Sequence, residues 1–186
     1  LIVPNRFRYL TLSLFGLGTL FFSLGLLRVS MEPLADLESV QSLLRQMGDN
    51  HFQGVIAGTV LSALLHSSSA TTGIVMLLTE DGWLTMPTAL AFIFGANLGT
   101  CFTAVIASLA TSRAAQRVAL FHVLLNFFGV IIFYPFLGPL SHGLDLLGGG
   151  FGRQVVNAHT VFNLLSSLAA FPLLPWATKV LYKVRP

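Results

Sequence analysis

A cluster of hydroxyl side chains interrupts an apolar stretch of the chain. It consists of Ser67, Ser68, Ser69, Thr71 and Thr72, which directly follow His66. Hydroxyl groups donate hydrogen bonds to phosphate-type oxygens, and as acceptors they can coordinate a hard cation such as sodium together with free backbone carbonyls. A buried polar group without a partner costs several kcal/mol in hydrocarbon. The cluster therefore predicts a break between two half-helices, whose free N–H groups would form an anion site.

A second polar stretch follows and is built from small and amide side chains. Its members are Gly95, Asn97, Gly99, Thr100 and Thr103. Because Gly and Asn favour non-helical backbone, we predict a broken transmembrane helix that completes the site. Sodium ligands are predicted from both stretches: Ser68, Ser69, Thr72, Asn97 and Thr100. The alternative is that these hydroxyls bond back to their own helices. Neither stretch holds a carboxylate, which argues against calcium or magnesium.

Two later segments each carry a His and an Asn four residues apart, so that both side chains share one helix face. The pairs are His122 with Asn126 and His159 with Asn163. Such side chains usually bond across helices in a membrane, and we interpret both pairs as supports for packing and gating. His66 has three open roles: it binds the anion, relays a proton or packs as a neutral ring.

The composition identifies the class of protein in which these residues lie. Apolar residues make up 54% and charged residues 9% of the 186 residues, whereas a soluble domain carries about 25% charged residues. This argues against a soluble enzyme and a disordered chain, and the single cysteine excludes a disulfide scaffold. Lys and Arg lie scattered at segment ends without a basic stripe, so no nucleic-acid partner is predicted.

The charge-free stretches predict an all-α polytopic membrane protein in a lipid bilayer, with residues 1–186 as one transporter repeat. The predicted elements are a transmembrane helix at 9–27, an interfacial amphipathic helix at 28–50, a re-entrant hairpin at 54–79, the broken helix at 86–112, and transmembrane helices at 118–138 and 155–177. Pro172 is expected to end or kink the last helix. Because the chain begins at Leu1, we expect a fragment of a longer protein or one of two repeats.

The positive-inside rule leaves two topologies open. One has a re-entrant hairpin and the amino terminus inside, and the other has every segment spanning and the amino terminus outside. Each places seven of the ten Lys and Arg residues in the cytoplasm. Both put Arg113, Arg117 and the carboxy terminus on the cytoplasmic side.

Four ordered motifs resemble the type II sodium/phosphate cotransporter family and its bacterial relatives. Residues 67–72 resemble the QSSS signature, and residues 95–104 resemble the element G-[AS]-N-I-G-T-T-x-T-A. Residues 117–129 and 158–163 are similar to the helices R-x-A-x-x-H-x-x-F-N-x-x-G and A-H-T-x-F-N. The resemblance covers about residues 10–176. Three positions depart from it: His66 replaces the Gln, Cys101 the second Thr, and Leu125 a Phe.

The resemblance implies half of a transporter built from two inverted repeats, each with a QSSS-bearing re-entrant hairpin. The order of motifs most resembles the second repeat, which favours the hairpin topology with the amino terminus inside. A partner repeat, in the same or another chain, is therefore expected. The substrate and ion site is then expected at His66, Ser67, Ser68, Ser69, Thr71, Thr72, Asn97, Gly99, Thr100 and Thr103.

The function that the resemblance implies is sodium-dependent symport of inorganic phosphate by alternating access. The expected location is the plasma membrane, in bacteria the inner membrane, with sodium as coupling ion and no cofactor. Replacement of the Gln by His66 leaves the ion stoichiometry open. Transport of another small anion, proton coupling, and a non-transporting membrane assembly module remain alternatives. No enzymatic activity is expected, because the G-x-S-x-G elbow of a serine hydrolase is missing from the sequence.

Overall fold

The computed structural model describes residues 5–35 and 37–183, and these residues are almost entirely helical. The helices are α1 (Asn5–Ala35), α2 (Glu38–Asp49), α3 (His51–Leu65), α4 (Ser68–Glu80), α5 (Met86–Leu109), α6 (Arg113–Phe133), α7 (Leu137–Leu146), α8 (Phe151–Ala170) and α9 (Leu174–Lys183). Short 3-10 turns join α6 to α7 and α8 to α9. No strand occurs in the described ranges, so the predicted all-α class is confirmed.

The chain divides into two compact units, Leu1–Ser42 and Leu43–Pro186. The first unit consists mainly of α1, in which Phe7–Met31 is long and apolar enough to cross a membrane. This helix extends beyond the predicted range 9–27, because a charged residue such as Arg28 ends an apolar stretch without ending a helix.

The amphipathic helix predicted at 28–50 is divided in the structure. Residues 28–35 belong to α1, and a separate helix, α2, begins at Glu38. Pro33 lies in the last turns of α1, where a missing N–H and a bulky ring favour an end of the helix. The second part is amphipathic as predicted, since Leu44 and Met47 are buried and Arg45 is exposed. Its place at a membrane interface stays a prediction.

The hairpin predicted at 54–79 is present as α3 and α4. At about 1.5 Å of rise per residue, the 15 residues of α3 and 13 residues of α4 reach about 22 and 20 Å. Both are shorter than the hydrocarbon core of a bilayer, which is about 30 Å thick. Neither helix is long enough to span that core by itself, as a re-entrant hairpin requires, and the re-entrant placement in a membrane stays a prediction.

The third and fifth helices run parallel to each other. His51 Nδ1 lies 3.3 Å from Thr88 Oγ1 near the start of both helices. His66 Nδ1 lies 3.0 Å from Thr103 Oγ1 further along both. The intervening α4 must therefore return antiparallel to both. We call residues 66–67 the hairpin tip, and the end that holds residues 81–85 the hairpin base.

Two glycines bring the backbones of α3 and α5 together. A Cβ atom at Gly95 would overlap the carbonyl oxygen of Val55, and one at Gly99 would overlap the carbonyl oxygen of Thr59. Thr59 also donates a hydrogen bond from its Oγ1 to the Gly95 carbonyl oxygen at 3.1 Å. Small residues that allow such close approach are a usual means of helix association in membranes.

The predicted break in the 86–112 segment is wrong, because α5 is one continuous helix of 24 residues. Its polar side chains bond within the helix: Asn97 Nδ2 donates to the Ile93 carbonyl oxygen, and Thr100 Oγ1 donates to the Asn97 carbonyl oxygen, both at 2.8 Å. Gly95 and Gly99 provide the contact with α3 instead of a bend. The helix ends at Leu109 rather than at residue 112, since the next residues form the turn into α6.

The helix predicted at 118–138 begins earlier and ends earlier in the structure. Ser112 caps α6 because its side chain accepts a hydrogen bond from the Ala115 N–H, and Ser is a preferred residue at this position. The helix ends at Phe133, where a 3-10 turn at Tyr134–Phe136 holds Pro135. Proline removes a helical hydrogen bond, and this bend was not predicted.

The helix predicted at 155–177 likewise divides at a proline. It begins at Phe151 and ends at Ala170, where a 3-10 turn at Phe171–Leu173 holds Pro172. The prediction that Pro172 ends or kinks the helix is confirmed by the end of α8 at Ala170. The chain then continues as α9, so the two last predicted helices each become a long helix followed by a short one.

The apolar core of the second unit lies toward the hairpin base. The rings of Phe94 and Phe162 are 4.8 Å apart at its centre. Five helices contribute to the core, which contains Val55, Leu90, Ala91, Phe94, Val130, Leu137, Leu144, Ala158 and Phe162. Its members on α3 and α5 all precede Thr59 and Asn97, so Thr59, Asn97 and the polar residues that follow them lie between the core and the hairpin tip.

Four stretches of the described residues are long and apolar enough to cross a membrane: Phe7–Met31, Met86–Leu109, Arg113–Leu146 and Phe151–Lys183. Large apolar side chains such as Phe128 and Leu168 are exposed on the last two, where acyl chains would cover them. The chain is a multi-pass α-helical membrane protein.

We predict that Gly95→Ala destabilises the protein by about 1–3 kcal/mol or more, the usual cost of overpacking, because the new methyl group meets backbone rather than a flexible side chain. The measurement is the unfolding temperature in detergent. Gly138→Ala is the control, since nothing lies within 4 Å of a Cβ atom there. Equal unfolding temperatures for both variants would contradict the close α3–α5 contact.

Candidate substrate and ion site

The break between α3 and α4 is formed by two residues with specific roles. His66 has φ 53° and ψ 28°, the left-handed conformation that ends many helices, and His adopts it more readily than most residues. The N–H groups of His66 and Ser67 both donate to the Ser62 carbonyl oxygen. Ser67 then caps α4, because its side chain accepts from the Ala70 N–H at 3.1 Å. The chain thus ends one helix and starts another within two residues.

The hairpin tip lies beside the polar stretch of α5, as predicted. His66 is within hydrogen-bonding distance of Thr103, and Gly99 lies against Ser62 and Thr59. Asn97 and Thr100 lie on the same helix, about 9 and 4.5 Å before Thr103 by helical rise. Within the described residues, no hydrogen bond joins Ser67, Ser68, Ser69, Thr71 or Thr72 to the α5 residues of the predicted site.

The first turn of α4 retains hydrogen-bond donors. The N–H of Ala70 donates to the Ser67 side chain, and the N–H of Thr71 donates to the Ser67 carbonyl oxygen. Within the described residues, the N–H and hydroxyl groups of Ser68 and Ser69 have no hydrogen-bond partner. Ser68 is half-buried and Ser69 is exposed. A helix begins here with about half a positive charge, so the turn presents four donors suited to an anion.

Three of the four threonines of the predicted site have already used their hydroxyl protons. Thr71 Oγ1 donates to the Ser67 carbonyl oxygen at 3.1 Å, and Thr72 Oγ1 donates to the Ser68 carbonyl oxygen at 2.7 Å. Thr100 bonds in the same way within α5. The back-bonding alternative is therefore correct for these three hydroxyl protons. Their oxygens remain acceptors only, which suits a cation rather than an anion.

The two His/Asn pairs have the same local geometry. Asn126 Nδ2 donates to the His122 carbonyl oxygen at 3.0 Å, and Asn163 Nδ2 donates to the His159 carbonyl oxygen at 2.8 Å. Each amide thus bonds within its own helix, and the Asn126 side chain also interacts with Cys101 on the neighbouring α5. The Cys101 Sγ lies 3.7 Å from the His122 carbonyl oxygen and provides a contact between α5 and α6.

The eighth helix brings the second pair toward the hairpin tip. A Cβ atom at Gly152 would overlap the Glu80 carboxylate, so α8 begins beside the end of α4. Phe162 then contacts Phe94, which shows that α8 runs from the base toward the tip. His159, seven residues after Gly152, lies about 10 Å further toward the tip. The pair on α8 therefore lies alongside the first turns of α4, and its supporting role stays a prediction.

Ser62 is a site residue that the sequence analysis did not include. It is fully buried, its carbonyl oxygen accepts two N–H groups at the hairpin tip, and its Oγ has no hydrogen-bond partner. Its Cβ lies 2.7 Å from the position of a Cβ atom built on Gly99. The sequence feature that could have indicated Ser62 is its spacing, because it precedes His66 by one helical turn and so lies near the predicted break.

The described residues around the hairpin tip could hold an anion and a cation without charged side chains. Ser68 and Ser69 carry free donors, whereas Thr72, Thr100 and the Asn97 amide carry oxygens that can accept, and their binding of sodium stays a prediction. All carboxylates described in the second unit lie elsewhere: Glu80 and Asp81 at the hairpin base, and Asp145 at the end of α7. A bound anion is therefore the charge that would balance a sodium ion here.

Comparisons with known proteins identify the family of this chain. Residues 20–149 match the family described as Na+/Pi-cotransporter. The chain is 31% identical over 161 residues to the uncharacterized protein YqeW of Bacillus subtilis (strain 168), covering 87% of this chain and 52% of that protein. No solved structure matches the chain.

Two further relatives have names that refer to phosphate. The chain is 29% identical over 157 residues to the putative inorganic phosphate export protein YjbB of Salmonella typhimurium, covering 84% of this chain and 29% of that protein. It is 34% identical over 132 residues to the human sodium-dependent phosphate transport protein 2C, covering 66% of this chain and 22% of that protein. The chain thus spans about half the length of YqeW and less than a third of the other two. From the family match over residues 20–149, this chain belongs to the Na+/Pi-cotransporter family.

Proposed function

We propose that the intact protein moves inorganic phosphate together with sodium across the plasma membrane by alternating access, without enzymatic chemistry. In this proposal the chain supplies one of two inverted repeats. The observation that supports it most is the hairpin tip, where α4 begins with free donors close to Thr103, in the polar stretch of α5. The relatives whose names refer to phosphate transport support the substrate.

The site supports phosphate and sodium through two different sets of groups. Phosphate needs donors, and the N–H and hydroxyl groups of Ser68 and Ser69 are unoccupied. Sodium needs oxygens, and the hydroxyl oxygens of Thr72 and Thr100 can only accept once their protons are bound. Transporters place half-helix N-termini toward anionic substrates in this way. Sodium would reduce the charge of the anion before the site changes its exposure.

The coupling is tested by reconstituting the intact protein in vesicles and following radiolabelled phosphate. Uptake is expected to follow an inward sodium gradient and to fall to the level of empty vesicles when choline replaces sodium. Equal uptake in sodium and in choline would contradict symport. Sulfate or arsenate that competes better than phosphate would assign a different anion.

The direction of movement has a second candidate, export, which the similarity to a protein named as a phosphate exporter favours. The same site serves either direction, because the sign of the sodium and phosphate gradients decides it. Vesicles loaded with phosphate separate the two, since an exporter releases phosphate without an inward sodium gradient. Release that needs no sodium would favour export over the proposed symport.

The donor half of the site is tested by replacing both free serines. We predict that Ser68→Ala together with Ser69→Ala raises the half-saturating phosphate concentration at least about tenfold, because each hydrogen bond to a charged group contributes about 1.5–3 kcal/mol. Ser167→Ala is the matched control, as Ser167 is exposed on α8. An unchanged half-saturating phosphate concentration in the double variant would contradict the assignment of Ser68 and Ser69 to the phosphate site.

The acceptor half is tested separately at Thr72. Thr72→Val keeps the shape of the side chain and removes the oxygen, so we predict a weaker apparent affinity for sodium, by about three- to tenfold. The half-saturating sodium concentration is the measurement. Thr19→Val is the control, since Thr19 makes the same bond within its own helix, to the Phe15 carbonyl oxygen at 2.9 Å. A change in the phosphate dependence alone would contradict the assignment of Thr72 to sodium.

A further inference from the structure

A groove of about 290 Å³ runs between α6 and α9, on the outside of the second unit. Each helix contributes one face, at positions three and four residues apart. The lining is Ala114, Arg117, Val118 and Phe121 on α6, and Leu174, Ala177, Thr178, Leu181 and Tyr182 on α9. Except for Arg117 and Thr178, these side chains are apolar or aromatic. Val118 is 69% exposed, so the groove is open to whatever surrounds the helices.

Arg117 lines this groove, and three further cations lie on the same two helices outside its lining. Arg113 begins α6, and Lys179 and Lys183 lie on α9, whose last turn contacts the first turns of α6 through Arg117 and Tyr182. The described carboxylates of the second unit lie at other places, namely Glu80 and Asp81 at the hairpin base and Asp145 at the end of α7. Four cations therefore lie on α6 and α9 without a described carboxylate among them.

Arg117 is held in place but is only partly hydrogen-bonded. Its guanidinium lies over the Tyr182 ring, 4.6 Å from the centroid. Its Nη2 donates to the Tyr182 carbonyl oxygen at 3.5 Å, a long bond, and its Nε is buried without a hydrogen-bond partner. A guanidinium fixed in this way retains donors for a planar or tetrahedral anion.

We propose that this groove binds one anionic phospholipid, with an acyl chain along the apolar faces of α6 and α9 and the headgroup phosphate at Arg117. The apolar lining selects a lipid over free phosphate, and the cations select an anionic headgroup over a zwitterionic one. Basic pockets between membrane helices on the cytoplasmic side bind anionic headgroups in this manner. The site is independent of the proposed phosphate and sodium site.

The charge pattern also indicates which leaflet supplies the lipid. The end of the bundle that holds Arg113 and Arg117 is the end that the positive-inside rule assigns to the cytoplasm. Anionic lipids give that leaflet a negative surface potential. The occupant is therefore a lipid of the cytoplasmic leaflet.

Native mass spectrometry of the intact protein in detergent tests the proposal, with phosphatidylglycerol and phosphatidylcholine added at equal concentrations. Wild type is expected to retain phosphatidylglycerol in preference, and Arg117→Gln to lower that preference about fivefold. Arg153→Gln is the matched control, because it removes the same charge near the hairpin base. Equal losses in the two variants, or no loss in either, would overturn the proposal.

A second variant tests the groove without changing any charge. Ala177→Trp fills the space between α6 and α9 and is expected to reduce bound phosphatidylglycerol to the level of Arg117→Gln. Full retention of the lipid in Ala177→Trp would overturn the acyl-chain part of the proposal. Displacement of the lipid by excess inorganic phosphate would show that the cations form a free-anion site instead.

Discussion

The parallel contact between α3 and α5 determines where the hairpin tip lies relative to the polar stretch of α5. Gly95 and Gly99 let the two backbones meet, so that carbonyl oxygens of α3 occupy the space that a Cβ atom would need. This contact fixes how far the hairpin reaches along α5. The hairpin tip consequently lies beside Thr103, about 9 Å before the end of α5, and does not reach the end of that helix.

A bilayer forces every polar group at this depth to find a partner, and the chain meets this demand unevenly. The protons of Thr71, Thr72 and Thr100 bond to carbonyl oxygens of their own helices, whereas Ser68 and Ser69 keep their donors. Donors and acceptors are thereby separated without any charged side chain. A site of this kind is nearly neutral when empty, so its change of exposure would not move a fixed charge through hydrocarbon.

Part of this arrangement could be predicted from sequence because the signals are local. Ser67 is a good helix cap and follows a residue that accepts left-handed backbone, so the break at residues 66–67 can be inferred from a few positions. The break expected in α5 was wrong because Gly, Asn and Thr occur both in broken helices and in close helix contacts. What decides between the two is the neighbouring helix α3, which local sequence does not reveal. Ser62 was missed for the same reason: a single Ser in an apolar helix has no evident role until the structure shows that it packs against Gly99.

The last four helices repeat one pattern of residues and turns. His122, Asn126 and Pro135 recur as His159, Asn163 and Pro172 at the same spacing, and in both sets the Asn amide bonds to the His carbonyl oxygen while the Pro lies in a 3-10 turn. The two long helices run in opposite directions past α5, because α6 returns from its end and α8 follows it from the base. Their bends therefore lie at opposite ends of the bundle, Pro135 toward the hairpin base and Pro172 toward the other end. Kinks of a helix axis usually occur at such prolines, and both prolines lie outside the contact between α3 and α5, which joins residues 51–66 to residues 88–103.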